Sequence, residues 1–288
     1  MIQCEKKRNS PASKALVAVS ILFGSFLVAT ALALLPAQAV AAEDHPATDL
    51  AKKLANPIAN LISIPLQYNY NQNYGTDDEG SQSYLNIQPV IPFSMSENWN
   101  VITRTIVPLI NQWGIPAAGD DESGLGDITA SQFFSPKALT SGGWTWGVGP
   151  VWLLPTATED TLGGEKWGTG PTGVALKQAG SWTYGILANH LWSFAGDDER
   201  ADINSTYLQP FLAYVTSTHT TFSLNTESSY NWKSEEWSVP INFQVAQMLK
   251  LGHMPIQIML GARYYADSAE NGPEDWGARL QLTFLFPK

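Results

Sequence analysis

Apolar and polar residues alternate with a period of two along most of this chain. The alternation is clearest in 61–71, 221–232, 237–249, 255–266 and 276–286. In the last of these stretches, Leu280, Leu282 and Phe284 alternate with Gln281 and Thr283. Alternation that lasts ten or more residues predicts a long β-strand with one apolar and one polar face.

Seven weaker stretches extend the same pattern: 83–93, 98–110, 125–135, 143–154, 167–178, 181–194 and 203–216. The total of about twelve is even, and the lengths suit tilted membrane strands, as in bacterial single-chain barrels. Prolines interrupt several stretches and are expected at bulges or strand ends; they are Pro65, Pro89, Pro92, Pro108, Pro150, Pro171, Pro210 and Pro240. The pattern predicts an all-β fold, a transmembrane antiparallel β-barrel over 61–288.

The N-terminus has the pattern of a secretory signal peptide. A positive start, with four Lys and Arg residues, is followed by the uncharged run 15–35 and by small residues up to Ala42. We predict a signal peptide over 1–42 with cleavage between Ala39 and Ala42; an uncleaved anchor helix is the alternative, because the run is long. Residues 43–60 are predicted to be an N-terminal periplasmic segment that can form a short helix, limited by Pro57.

Composition agrees with a barrel. Charged residues make up 15% of the chain, against roughly 25% in soluble domains, and the mean hydropathy is only −0.10. Loss of residues 1–42 removes the only cysteine, Cys4, together with four of 16 Lys and Arg and one of 26 Asp and Glu, which leaves a net charge of −13. Such acidity argues against a nucleic-acid partner.

Acidic residues concentrate in every second predicted loop. The set 75–82, 111–124, 155–166, 195–202, 233–236 and 267–275 holds 19 of the 25 mature acids, whereas the other turns hold only Glu97. If both termini are periplasmic, the acidic loops face outward, where longer loops are expected. Tryptophans near strand ends fit interfacial belts; they are Trp99, Trp144, Trp182, Trp232, Trp237 and Trp276.

Motifs for catalysis, metal binding or cofactor binding are not found, so no catalytic residue, metal or cofactor is predicted. The segment Asp77–Gly80 lacks the alternating ligands of a calcium loop. The four histidines are scattered, and His190 shares an apolar face with Trp192 and Phe194. A catalytic role for His190 is the alternative that a lipid-degrading barrel enzyme would require.

Four charged residues lie well inside predicted strands: Arg104, Glu227, Arg263 and Arg279. A lipid-facing arginine near the bilayer centre costs about 2–4 kcal/mol, so we expect these side chains in the lumen. Counting residues from the strand ends places them at roughly one level. They are therefore predicted either to form a constriction that selects anionic or carboxylate-bearing solutes, or to form an ion-pair network that only stabilises the barrel.

Several short motifs resemble the outer-membrane transporter family named for the meta-pathway of phenol degradation. They include residues 54–63 (LANPIANLIS), 123–127 (SGLGD), 133–137 (FFSPK), 146–150 (WGVGP), 153–157 (LLPTA), 165–168 (EKWG), 182–185 (WTYG), 196–198 (GDD) and 285–288 (LFPK). The resemblance runs from about residue 50 to the end. It implies a barrel that takes up small, often aromatic, compounds, and it assigns no site residues.

The sequence thus predicts a channel of the bacterial outer membrane for passive or facilitated uptake of small aromatic or carboxylate-bearing solutes. Its expected partners are the solute, outer-membrane lipid and the barrel-assembly machinery, since the last strand resembles the amphipathic C-terminal strand of outer-membrane proteins. A barrel enzyme acting on lipid, or a structural or adhesive surface protein, remains the alternative.

Overall fold

A computed structural model describes residues 45–117 and 119–287. Its only α-helix over these residues, α1, spans His45–Leu54 and carries Lys52 and Lys53 in its last turn, where cations interact favourably with the helix dipole. In this part of the chain no helix is both long and apolar enough to cross a membrane. The predicted signal peptide, 1–42, lies outside the described residues.

Sixteen strand segments combine into twelve barrel strands, four of them interrupted. They are β1 (Ile62–Tyr74), β2 (Gly80–Ile87 and Val90–Ser94), β3 (Trp99–Trp113), β4 (Glu122–Leu125 and Ile128–Pro136), β5 (Trp144–Leu154), β6 (Lys166–Ala179), β7 (Trp182–Gly196), β8 (Asn204–Val215), β9 (Thr220–Thr226 and Ser228–Asn231), β10 (Glu236–Ser238 and Pro240–Leu251), β11 (Met254–Tyr265) and β12 (Trp276–Phe286).

Each strand pairs with its neighbour in the chain, and the pairing of β1 with β12 closes the sheet. This seam is antiparallel and runs from the pair Ile62 and Phe286 to the pair Tyr70 and Ala278. Closure leaves no exposed sheet edge, which a membrane strand requires because lipid cannot hydrogen-bond a free backbone group. The predicted twelve-stranded antiparallel barrel is confirmed.

The prolines lie at interruptions or are absorbed into the ladders. Pro89 sits in the break of β2, and Pro240 begins the longer segment of β10. Backbone hydrogen bonds still cross such places: Gln88 N donates to Pro65 O, and Glu227 N donates to Pro240 O. A proline has no backbone N–H to donate, but its carbonyl oxygen still accepts a hydrogen bond from the neighbouring strand.

The barrel is apolar outside and polar inside. On β12 the side chains of Trp276 and Leu280 are exposed on the outer surface, while Arg279 and Thr283, on the opposite face, are buried. Aromatic pairs ring both ends: Trp144 with Tyr184 and Trp182 with Tyr214 at one, Tyr230 with Trp237 and Tyr264 with Trp276 at the other. This is the arrangement of a barrel that sits in a bilayer, with aromatic girdles at its two interfaces.

The acidic loops lie at the end of the barrel opposite its two termini. Asp77, Asp120, Asp198 and Glu274, for example, stand in connections between strands at that end. The turns at the termini end are mostly short, such as the turn between Ala179 and Trp182, although the connection 137–143 is longer. The sorting of charge by loop is therefore a property of the fold; that the acidic end faces the outside of the cell stays a prediction.

Candidate functional site in the barrel lumen

Glu227 joins two arginines in the lumen. Its Oε2 lies 2.6 Å from Nη2 of Arg263 and 2.7 Å from Nη2 of Arg279, and its Oε1 lies 2.7 Å from Nη1 of Arg279. Arg279 therefore binds the carboxylate with both nitrogens, the geometry in which a guanidinium is strongest. Both arginine side chains are 3% exposed and Glu227 is 20% exposed. The three groups together carry one net positive charge.

Each of these arginines has an asparagine on one neighbouring strand and a glycine on the other. Arg279 lies opposite Asn69 and Gly261, and its Nε donates to Asn69 Oδ1 at 2.7 Å. Arg263 lies opposite Asn242 and Gly277, and its Nε donates to Asn242 Oδ1 at 2.8 Å. The asparagine satisfies the third guanidinium nitrogen, and the glycine leaves space beside the arginine.

A relay of side-chain amides connects these arginines to Arg104. Arg104 Nη2 donates to Gln88 Oε1 at 2.8 Å, and Gln88 Nε2 donates to Gln67 Oε1 at 3.2 Å. The same Gln67 oxygen accepts from Asn69 Nδ2 at 3.4 Å, which leads to Arg279. At the other end of the chain of contacts, Asn242 Nδ2 donates to Asn225 Oδ1 at 2.9 Å. We call this connected set the polar belt: Asn225, Asn242, Arg263, Glu227, Arg279, Asn69, Gln67, Gln88 and Arg104.

All four charged residues named from the sequence are thus lumenal members of one belt. The structure brings Glu227, Arg263 and Arg279 into direct contact, whereas Arg104 stands apart from them. No carboxylate of the described residues forms an ion pair with Arg104. For Arg263 and Arg279 the geometry is that of a stabilising network; the role of all four in solute passage remains a prediction.

The amide members of the belt were not singled out from the sequence. The alternation does place them on the polar face of their strands. Gln67 and Asn69, for example, stand two residues apart on β1 and face the lumen as expected. Which amide meets which charge depends on strand register: Asn69 and Arg279 are 210 residues apart and become partners only when the barrel closes.

A cavity of about 230 Å³ lies between the polar belt and the segment that precedes β1. Its lining combines polar residues, such as Arg104, Gln88 and Gln281, with apolar ones, such as Leu54, Pro57 and Phe211. Its charged residues are Lys53, Arg104, Arg279 and Glu227, so the lining carries a net charge of +2 in a chain of net charge −10.

The segment 45–61 forms a floor at the termini end of the barrel. Ala51, Ala59 and Leu61 pack in one buried cluster with Val215, Met248 and Leu285 of the strands. Ile58 packs in a second, with Ile102, Phe133, Val174, Leu176 and Leu187. Hydrogen bonds hold the helix as well: Gln178 Nε2 donates to Lys52 O at 2.9 Å, and the Thr48 hydroxyl lies 2.8 Å from His219 Nδ1.

His190 lies on the outer surface. Its Nδ1 is 2.7 Å from the hydroxyl of Thr206, which also accepts from Trp232 Nε1 at 2.8 Å. The centroid of its ring lies 4.0 Å from that of Trp192, with the ring planes tilted by 50°. Its Nε2 is buried and has no hydrogen-bond partner among the described residues. The contacts of His190 are thus with an outward-facing hydroxyl and with outward-facing tryptophan rings.

The described residues also contain no group of three or more potential metal ligands. Taken together, the closed sheet, the apolar outer wall with its two aromatic girdles and the hydrogen-bonded lumen define the fold class of bacterial outer-membrane β-barrels.

Solved structures of that class are similar to this chain. The COG4313 outer membrane channel from Pseudomonas putida F1 matches with a TM-score of 0.62 at 15% identity, over 78% of this chain and 96% of that one. The NanC porin matches with a TM-score of 0.47 at 11% identity, over 79% of this chain and 100% of that one. Outer membrane phospholipase A from Escherichia coli matches with 0.46 at 9% identity, over 79% and 90%.

The first of these likenesses shows the fold, and the other two are too distant to carry an argument. A search with models of known protein families found no match, and a search of curated proteins found none either.

Proposed function

We propose that this protein is an outer-membrane channel through which small solutes, including aromatic and carboxylate-bearing compounds, pass by passive or facilitated diffusion. The observation that carries the proposal is the lumen itself, a closed barrel whose inner wall presents hydrogen-bonding side chains around a cavity. The likeness to a COG4313 outer membrane channel supports the fold on which it rests. Membership in the transporter family named for phenol degradation is part of the same proposal.

A conductance measurement tests the proposal. The full-length protein, purified from membranes and inserted into planar bilayers, is expected to give discrete current steps, and liposomes containing it are expected to swell in small neutral solutes. The protein should also fractionate with outer membranes and migrate differently on gels before and after heating. A pure, heat-modifiable barrel that gives neither current nor swelling would contradict a channel.

A second candidate, a barrel enzyme acting on lipid, rests on the short contact between His190 and Thr206. This pair faces outward, where lipid would be available. Vesicles of fluorescently labelled phospholipid separate the two candidates: a channel leaves the lipid intact, and His190→Ala keeps its conductance. Release of labelled fatty acid that His190→Ala abolishes would favour the enzyme.

A further inference from the structure

The lining of the cavity beneath the polar belt includes an arginine without an ion-pair partner and two residues that each have an unpaired polar atom. Arg104 is half-buried and donates to Gln88, yet no described carboxylate neutralises it. Thr221 Oγ1 and Gln244 Nε2 are buried and have no hydrogen-bond partner among the described residues. These side chains, 7% and 5% exposed, both line the cavity.

Gln244 Oε1 accepts a hydrogen bond from Ser223 Oγ at 3.2 Å. The unpaired atoms Thr221 Oγ1 and Gln244 Nε2 expose almost no surface although the cavity beside them is open, so they do not face it. The charges and the apolar side chains of the lining are therefore the groups that can hold a guest.

The charges around the cavity indicate the sign of the guest. Arg279 is already paired with Glu227, so the excess positive charge rests on Arg104 and Lys53. Arginine is suited to carboxylates because its planar fork matches their two oxygens. Lys53 is exposed near the floor and adds to the positive potential.

The apolar residues at the floor of the cavity indicate what the uncharged part of the guest consists of. Leu54, Pro57 and Leu61 of the N-terminal segment are apolar members of the lining. Val90, opposite Arg104 on the neighbouring strand, and Phe211 add apolar surface from the barrel wall. A fully polar guest would leave this surface without a contact, whereas an aryl or short alkyl group would be removed from water on it.

We propose that this cavity is a binding site for a small amphipathic carboxylate, held by Arg104 through its carboxylate and by the apolar floor through its aryl or alkyl body. This inference rests on the proposed channel function and adds to it the class of solute that binds in the lumen. It differs from a filter made by Arg263 and Arg279, because their carboxylate partner is already present within the protein.

Binding to the detergent-solubilised full-length protein tests the site. Benzoate, 3-phenylpropanoate and octanoate are titrated against their uncharged amides by calorimetry. At least one carboxylate is expected to bind about tenfold or more tightly than its amide, the scale of a hydrogen bond to a charged group. Arg104→Met is expected to abolish that preference, and Arg104→Lys to retain part of it.

Lys177→Gln is the matched control, since it removes one positive charge at a strand end that does not line the cavity. Heat-modified migration of each variant establishes that it is folded. Equal affinity for every carboxylate and its amide, or a preference that survives Arg104→Met in folded protein, overturns the inference. The conductance of the same samples is recorded separately. Current without a preference for carboxylates contradicts the binding site but not the channel. Carboxylate binding without current contradicts the channel.

Discussion

Asn69 and Arg279 face each other across the seam of the barrel, where Arg279 Nε donates to Asn69 Oδ1 at 2.7 Å and both side chains are almost fully buried. One residue belongs to the first strand and the other to the last. The contact therefore joins barrel closure to the charge network, because the asparagine that orients Arg279 for Glu227 arrives only with closure.

Loss of this acceptor should weaken the closed barrel. Asn69→Ala leaves Arg279 Nε buried and unpaired, at a cost of about 1–3 kcal/mol. The measurement is the free energy of unfolding in urea, with the protein in lipid vesicles. Asn111→Ala, at an exposed position on β3, is the control and should change it by less than about 0.5 kcal/mol. Equal effects of the two variants would show that the seam contact contributes nothing.

Glu227 should matter more than either arginine alone. Glu227→Gln removes the carboxylate from two buried guanidinium groups, and an uncompensated buried charge costs about 3 kcal/mol or more. In the fraction that folds, the lumen gains one positive charge, so the reversal potential in a salt gradient should shift toward anion selectivity.

Glu97→Gln changes the charge by the same amount in a turn at the termini end, where Glu97 is exposed, and serves as the control. If Glu227→Gln is as stable as the wild type and has the same ion selectivity, the network contributes to neither the stability of the barrel nor its permeation.

The glycine beside Arg263 should not tolerate a side chain. A Cβ on Gly277 would lie 2.7 Å from both Asn71 Oδ1 and the backbone oxygen of Tyr70. Backbone cannot yield easily, so Gly277→Ala should destabilise the barrel by about 1–3 kcal/mol. At Gly173 a Cβ would meet Val148 at 3.6 Å, an ordinary contact, so Gly173→Ala is the control. The measurement for both variants is the fraction of heat-modifiable barrel in outer membranes. If Gly277→Ala leaves this fraction unchanged, the predicted clash is contradicted.

The acidic loops should concentrate cations at their end of the barrel. Asp77, Asp198 and Glu199 are exposed, and clustered charge raises the local counter-ion concentration. The triple variant Asp77→Asn, Asp198→Asn, Glu199→Gln should reduce cation preference at about 10 mM salt and have little effect near 1 M, where screening acts over a few ångströms. An unchanged cation preference at the low salt concentration would contradict this role of the loops.

Sequence alternation was sufficient for the strands and for the face on which each charge lies. In β11 and β12 the alternate positions that include Tyr264, Trp276 and Leu280 are exposed on the outer surface, and Arg263 and Arg279 are buried on the inner face, as the period of two requires. That the four charges lie at one level stays a prediction, made without the stagger of the strands. What the structure adds is the chain of hydrogen-bonded neighbours that connects them. Local pattern cannot supply such contacts, because closure and register are set by distant strands.

The place of the N-terminal segment was also beyond the sequence. Its residues alternate neither as a strand nor over enough turns to define a helix face, and Ile58 finds its partners in β3 to β7. The interruption of β9 at Glu227 is a further case. The alternation predicts an ordinary polar strand position for Glu227. In the structure this residue stands between the two segments of β9, and its carboxylate contacts arginines on two other strands, β11 and β12.

The position of the floor dictates an order of assembly. Ala51 and Leu61 precede the first strand, yet their neighbours Val215, Met248 and Leu285 come from the eighth, tenth and twelfth strands. The cluster around Ala51 and Leu61 can therefore be complete only after the last strand, which leaves the ribosome last, has joined the barrel. Protection of this segment from protease would then be a late event in biogenesis, and a barrel stalled before its last strand would display the segment to chaperones and proteases of the compartment beneath it.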